Sequence, residues 1–336
     1  MLKYMKHTTF NWKICGHENI VDFLGSSIAN NNMSQAYLFY GQSGLGKYFM
    51  AKEFGKAVLC NDNFKPCQKC TSCQQIEKGG HFDFFELKRI ADEETGKLKR
   101  DISMEQVRDL ISKLKQGSLL GGHKVAIING AQYLNINGAN ALLKTLEEPT
   151  LKTVIILIVD DISRIPKTVV SRCQPIKFLP VSIKKIESYL IQLGAEKDEA
   201  KILSRISNGL PGKAIDFYYN ADLRNDYLKD VNNFLALISM PLSQRWKIVN
   251  EILSGNADGE IVFDNFLCLA RDLLLINNSN ETSASNFNFL EKESAIASQQ
   301  DEKTIEKIIE NIKFAKLALR QNISFKNALE NLIINL

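Results

Sequence analysis

The stretch that most limits how this chain can fold runs from Lys124 to Cys173. Val125–Asn129 (VAIIN) and Thr153–Val159 (TVIILIV) are short β-branched apolar runs with no polar alternation. Runs of that kind suit strands covered on both faces of a parallel sheet. Between them Ala139, Leu142, Leu143 and Leu146 recur at helical spacing, and Pro149 stands where a helix should stop. The segment predicts a strand–helix–strand crossover and so an α/β fold built on a parallel sheet.

Upstream, His17–Leu24 predicts an amphipathic helix, NNNMSQ breaks it, and Ala36–Gly41 (AYLFYG) predicts a strand. Gly41-Gln42-Ser43-Gly44-Leu45-Gly46-Lys47 then gives G-x-x-x-x-G-K between a strand and a helical run. In a phosphate-binding loop the glycines let backbone N–H groups face an anion, and the helix N-terminus adds partial positive charge. Gly41, Gly44, Gly46 and Lys47 are the candidate nucleotide-binding residues, with Lys47 against the terminal phosphates. The next position is Tyr48, where a Ser or Thr hydroxyl normally helps hold Mg²⁺. The same spacing also fits a glycine-rich turn that holds no nucleotide, and ATP is expected to be a weak ligand or none.

Four of the seven cysteines, Cys60, Cys67, Cys70 and Cys73, follow with spacing C-x6-C-x2-C-x2-C. Four thiolates so close can complete a tetrahedral shell on Zn²⁺, which leaves no open position and makes the metal structural. Such a reading needs a reducing compartment. No apolar run approaches the roughly 20 residues that cross a bilayer, and the N-terminus lacks a signal-peptide core, so a cytoplasmic protein without membrane contact is expected. With 42 Lys and Arg against 38 Asp and Glu, the formal charge of +4 does not demand nucleic acid and is compatible with a DNA-handling complex.

Phe82–Lys88 predicts another strand, and the charged segment ADEETGKLKRD an exposed loop. Ser103 is the expected N-cap of a helix whose buried stripe is Ile102, Val107, Leu110, Ile111 and Leu114. His81 and His123 are lone and are given no chemistry. After a last strand at Ile176–Leu179, Pro180 marks a domain edge. Three helices at Ile183–Leu193, Ala200–Ile206 and Pro211–Tyr219 follow, then apolar helical stripes to the C-terminus. The polar segment Asn277–Asn286 is expected to be an exposed loop.

Gly138-Ala139-Asn140-Ala141-Leu142-Leu143-Lys144-Thr145-Leu146-Glu147-Glu148-Pro149 and Ser171-Arg172-Cys173-Gln174, in that order and at that spacing, closely resemble the bacterial DNA polymerase III clamp-loader AAA+ family. Specific motifs carry the resemblance over residues 14–220, and size and helicity alone beyond that. It implies an AAA+ P-loop domain at 1–178 with a zinc knuckle at 60–73, a three-helix lid at 179–225 and an all-α collar at 226–336. It further implies gamma/tau and delta subunits as partners, with the sliding clamp and primed DNA reached through the complex.

Three departures bear on activity. In the family's ATPase subunits the strand corresponding to VAIIN ends in acids that hold Mg²⁺ and activate water; here Asn129, Gly130 and Gln132 stand there. Asp160 and Asp161, after TVIILIV, would repel a terminal phosphate. In the lid motif Gly209-Leu210-Pro211-Gly212-Lys213-Ala214, Lys213 replaces a phosphate-sensing Arg of ATPase members. The Ser171-Arg172-Cys173 motif is intact, and the resemblance implies that Arg172 reaches into a neighbour's nucleotide site as a catalytic residue in trans. A delta-prime-like stator that hydrolyses little or no ATP is thus expected. The alternatives are an active gamma/tau-type ATPase and a zinc-dependent single-strand-binding module.

Overall fold

A computed structural model of the chain describes residues 10, 12–92, 96, 98–148, 152–255, 258–278, 290–297 and 300–336. They fall into two compact units, Met1–Val181 and Ser182–Leu336. The first is α/β. Its elements are α1 (Glu18–Ala29), β1 (Ala36–Tyr40), α2 (Lys47–Leu59), α3 (Thr71–Glu77), β2 (Phe84–Leu87), α4 (Met104–Lys115), β3 (Lys124–Asn129), α5 (Ile136–Glu147), β4 (Thr153–Val159), α6 (Lys167–Val170) and β5 (Gln174–Lys177).

The five strands pair in parallel in the order β2-β3-β4-β1-β5. Every residue of β4 is buried, as are all of β3 but Asn129, which is what runs without polar alternation require. The expected crossover is present, with Ala139, Leu142 and Leu146 of α5 buried in the core beside Ile128, Ile155 and Leu157. Ser103 caps α4 through a full capping box with Gln106. The buried amine of Lys124 donates to the Lys113 carbonyl at 2.8 Å and to those of Leu114 and Gln116, closing the other end of that helix.

The last strand lies two residues earlier than expected, at Gln174–Lys177 rather than Ile176–Leu179. Among the described residues it pairs with β1 alone, and Pro175, which periodicity counts against a strand, is tolerated at a sheet edge. Leu179 is exposed. Helices α3 and α6 are short and gave no sequence period. Pro149 lies outside the described residues, as do residues 93–95 and 97 of the expected loop; its described part carries a bridge between Ala91 and Leu98.

The second unit is all helical: α7 (Ile183–Gln192), α8 (Lys197–Ile206), α9 (Pro211–Tyr219), α10 (Ala221–Ser239), α11 (Leu242–Ser254), α12 (Gly259–Asn277), α13 (Leu290–Ala297), α14 (Glu302–Arg320) and α15 (Phe325–Ile334). Helix α12 runs through its middle, with Phe263, Phe266, Leu269 and Leu273 fully buried. Phe266 packs on Phe234 of α10 at 5.1 Å between ring centroids, and Phe263 on Phe325 of α15 at 5.5 Å. Most of the expected loop Asn277–Asn286 lies outside the described residues. Among the described residues, no helix is long and apolar enough to cross a membrane.

One buried acid in this unit titrates unusually. Glu293 on α13 is fully buried, and neither of its carboxyl oxygens has a hydrogen-bond partner among the described residues. Burial, and then the charge of Asp272, push its pKa from the ordinary 4.5 up to about 8. The folded form therefore holds a proton that the unfolded form releases, so stability falls as pH rises through that window. Urea unfolding of the wild type should lose up to about 1.4 kcal/mol per pH unit there, and Glu293→Gln should flatten the slope.

Candidate functional site

The sheet order sets the carboxyl ends of β3, β4 and β1 side by side, the edge where open α/β sheets bind ligands. The glycine loop leaves β1 there. Gly41, Gly44 and Gly46 all take positive φ, at 140°, 82° and 83°, and α2 begins at Lys47. A Cβ on Gly41 would come within 2.6 Å of the Phe178 carbonyl oxygen, so the turn admits only glycine. The loop thus has the backbone of a phosphate cradle.

Its lysine is already engaged. The Lys47 side chain is 5% exposed, and its amine donates to the carbonyls of Gly41 and Gln42, the latter at 2.8 Å, and to Asp160 Oδ1 at 3.0 Å. Burial pushes this amine below its usual pKa, against the pull of Asp160. The second Asp160 oxygen accepts from Gln132 Nε2 at 3.0 Å. Two residues that each depart from the family's ATPase pattern are therefore bonded to one another, and one of them, Asp160, to the loop lysine.

The positions expected to handle magnesium are committed elsewhere. The Tyr48 phenol donates to Glu86 Oε1 on β2 at 2.8 Å, and burial, then Glu86, raise its pKa. Gly130 has φ 82° and donates its N–H to the Ile158 carbonyl at 3.1 Å. A Cβ there would meet Tyr133 at 2.8 Å, so the backbone itself resists a carboxylate at this position. A magnesium nucleotide does not fit the residues present.

Arg172 follows α6. Its Nε donates to Glu147 Oε1 at 2.7 Å, Nη2 donates to the same oxygen, and Nη1 donates to the Thr168 carbonyl at 2.7 Å. Glu147 belongs to the same Leu-Glu-Glu segment that marks the end of α5. The side chain remains 33% exposed. A guanidinium has five N–H donors; Nη1 also donates to Ser171 Oγ at 3.5 Å, so among the described residues one N–H of Nη2 is left. Lys213 lies in the second unit, where its amine donates to Asn265 Oδ1 at 2.9 Å and sits 4.4 Å from the Tyr227 ring centroid. Asn265 in turn donates to Asp230 at 2.8 Å.

The four cysteines meet as their spacing predicts. One sulfur from each of Cys60, Cys67, Cys70 and Cys73 lies within 4.8 Å of the other three, close enough to share one metal ion. The Cys70 N–H donates to Cys67 Sγ at 3.2 Å, and the Cys73 N–H to Cys70 Sγ at 3.5 Å. Desolvation opposes the Cys67 thiolate, yet the N–H groups of Lys69 and Cys70 bring its pKa down to about 7. The knuckle is tied to α2: Gln68 Nε2 donates to Glu53 Oε2 at 2.5 Å, and Lys56 bridges Glu53 at 2.7 Å and Glu77 at 2.6 Å.

Glu86, Gln68 and Asn265 carry no signal in the sequence, and Glu147, though part of the motif that ends α5, carries none for its pairing with Arg172. Only the Glu53–Lys56 pair had a local signal, its i, i+3 helical spacing.

A family model described as DNA polymerase III, delta subunit, matches residues 16–182. The DNA polymerase III subunit delta' of Bacillus subtilis strain 168 is 26% identical over 324 residues, 94% of this chain and 95% of the relative. Its counterpart in Pseudomonas aeruginosa is 34% identical over 224 residues, 64% of this chain and 66% of the relative. The tau subunit of Bacillus subtilis is 28% identical over 286 residues, 78% of this chain and 49% of the relative. With the family model lying over the unit that holds the glycine loop, and a delta' relative aligned along nearly its whole length, the chain belongs to the family of bacterial DNA polymerase III delta and delta' subunits.

Proposed function

We propose that this chain is a delta'-type stator of a clamp loader: it hydrolyses no ATP itself, assembles with gamma/tau- and delta-type subunits, and serves a neighbour's ATPase site with Arg172 while the sliding clamp is loaded onto primed DNA in the cytoplasm. The observation that carries this reading is the Asp160 carboxylate against Lys47, with Gln132 behind it. Tyr48 on Glu86 and the glycine conformation at 130 point the same way, since they leave no hydroxyl for Mg²⁺ and no base for water.

Arg172 is the one group of the resemblance with chemistry still to offer. Glu147, Thr168 and, through a longer contact, Ser171 take four of its five hydrogens and fix the plane of the guanidinium. The remaining hydrogen on Nη2, joined by the Nη1 hydrogen once the long Ser171 contact is exchanged, can meet oxygens of a transferring phosphoryl group, as a trans arginine does. In this reading α7 to α9 form the lid and α10 to α15 the collar, and Lys213, turned onto Asn265, braces the helices rather than sensing nucleotide. The cysteine cluster holds a structural Zn²⁺ through Cys60, Cys67, Cys70 and Cys73, and that ion supplies cross-linking of the knuckle and no catalytic step.

In a reconstituted loader, Arg172→Ala should lower DNA- and clamp-stimulated ATP hydrolysis at the adjoining site by about 10³-fold or more, while the isolated chain stays inactive. Unchanged hydrolysis would make Arg172 a structural residue, and turnover by the isolated chain that Lys47→Ala abolishes would favour the gamma/tau-type reading. Metal analysis of the purified chain should return about one zinc per molecule, lost from the Cys67→Ala, Cys70→Ala double variant. A folded wild type free of metal would sink the zinc assignment.

A further inference from the structure

We propose that Asp160 is the specificity-determining residue of the glycine loop: its carboxylate stands in for a phosphate, keeps nucleoside diphosphates and triphosphates out, and is the single charge whose removal would open the site to them. The inference deepens the non-hydrolysing reading above, because it says which group prevents binding rather than turnover.

Two observations meet here. The cradle is intact, with positive φ at Gly41, Gly44 and Gly46 and a helix of 13 residues beginning at Lys47. A Cβ built on Gly46 meets nothing within 4 Å, so there is open space beside the last glycine of the loop. The charge that should greet an anion is nevertheless spent. An ammonium has three N–H donors, and Lys47 directs them at Gly41, Gln42 and Asp160. Asp160 is held from both sides, by Lys47 on Oδ1 and Gln132 on Oδ2.

An incoming phosphate would have to take Lys47 from a carboxylate already in place, and would approach that carboxylate as a like charge. The acceptor it replaces is tethered by the sheet, since β4, which carries Asp160 just past its end, pairs directly with β1, which feeds the loop. A tethered acceptor competes with an effective concentration that no free ligand matches. Asp160→Asn keeps an acceptor for Gln132 and removes the negative charge. It leaves the buried Lys47 without its counter-ion, which a phosphate can then supply.

The test is a titration of the isolated full chain with ADP, followed by fluorescence of a labelled analogue and by thermal unfolding, with pyrophosphate as a second probe. Wild type should show no saturable binding at millimolar ligand and no shift in Tm. Asp160→Asn should unfold at lower temperature without ligand, recover on adding ADP or pyrophosphate, and bind ADP about tenfold or more tightly than wild type. Adding Lys47→Ala to it should abolish that gain. Saturable ADP binding by wild type overturns the proposal without need of any variant, as does a folded Asp160→Asn chain that binds no better. ATP hydrolysis by wild type would instead sink the non-hydrolysing reading, whereas binding without hydrolysis would sink only the role given to Asp160.

Discussion

Parallel pairing of β4 with β3 on one side and β1 on the other decides where every group of the loop site can be. Ile155 to Val159 run in register with Ala36 to Tyr40, and Val154 to Ile158 with Val125 to Asn129. These strands are buried on both faces, so a slip of register would move apolar side chains only between two covered layers, and hydrogen bonding must hold the register instead. That alignment sets Asp160, Gln132 and Lys47 at one edge although they are far apart in the chain. The helix α5 that joins β3 to β4 ends in Glu147, so the same crossover also carries the acceptor that holds Arg172.

Three cations linked by the resemblance to nucleotide chemistry each have an internal acceptor. Lys47 meets Asp160, Arg172 meets Glu147 and Lys213 meets Asn265. Their environments differ, and so do the consequences. Lys47 is buried and would be costly to leave unpaired, although the half-exposed Asp160 keeps the pair below the roughly 3–5 kcal/mol of a fully buried one. Arg172 and Glu147 are both partly in water, so their pair contributes on the order of 1 kcal/mol at most and can be exchanged for a better partner. The Lys47 pair behaves as structure, whereas the Arg172 pair is weak enough to exchange.

Local spacing made the crossover, the glycine loop and the cysteine knuckle legible, because each is written within a few dozen consecutive residues. The partners were not legible. Lys47 and Asp160 are 113 positions apart, Lys213 and Asn265 52, and Arg172 and Glu147 25. Asp160 read alone is a carboxylate that repels phosphate; only the fold turns it into a ligand of the lysine. The last strand was displaced for a related reason. Ile176 and Phe178 carry the apolar signal, but the ladder to β1 begins at Gln174 and tolerates Pro175 because no described strand pairs with the outer edge. Helices α3 and α13 are too short to give a period that stands out from noise.

The glycine loop has a structural task apart from any nucleotide, and α2 shows what it is. The helix carries Lys47 at its first residue, ends one residue before Cys60, and spans about 20 Å between them. Glu53 and Lys56, buried on its flank, tie it to Gln68 in the knuckle. Its start must therefore hold its place on the sheet if the knuckle is to hold its own. Gly41 fits against the Phe178 backbone where no side chain could, and Lys47 fastens the first turn of α2 to the end of β4. Packing and one ion pair account for the loop's glycines and lysine, so those residues by themselves are no sign of ATP. The informative position is the acid opposite them.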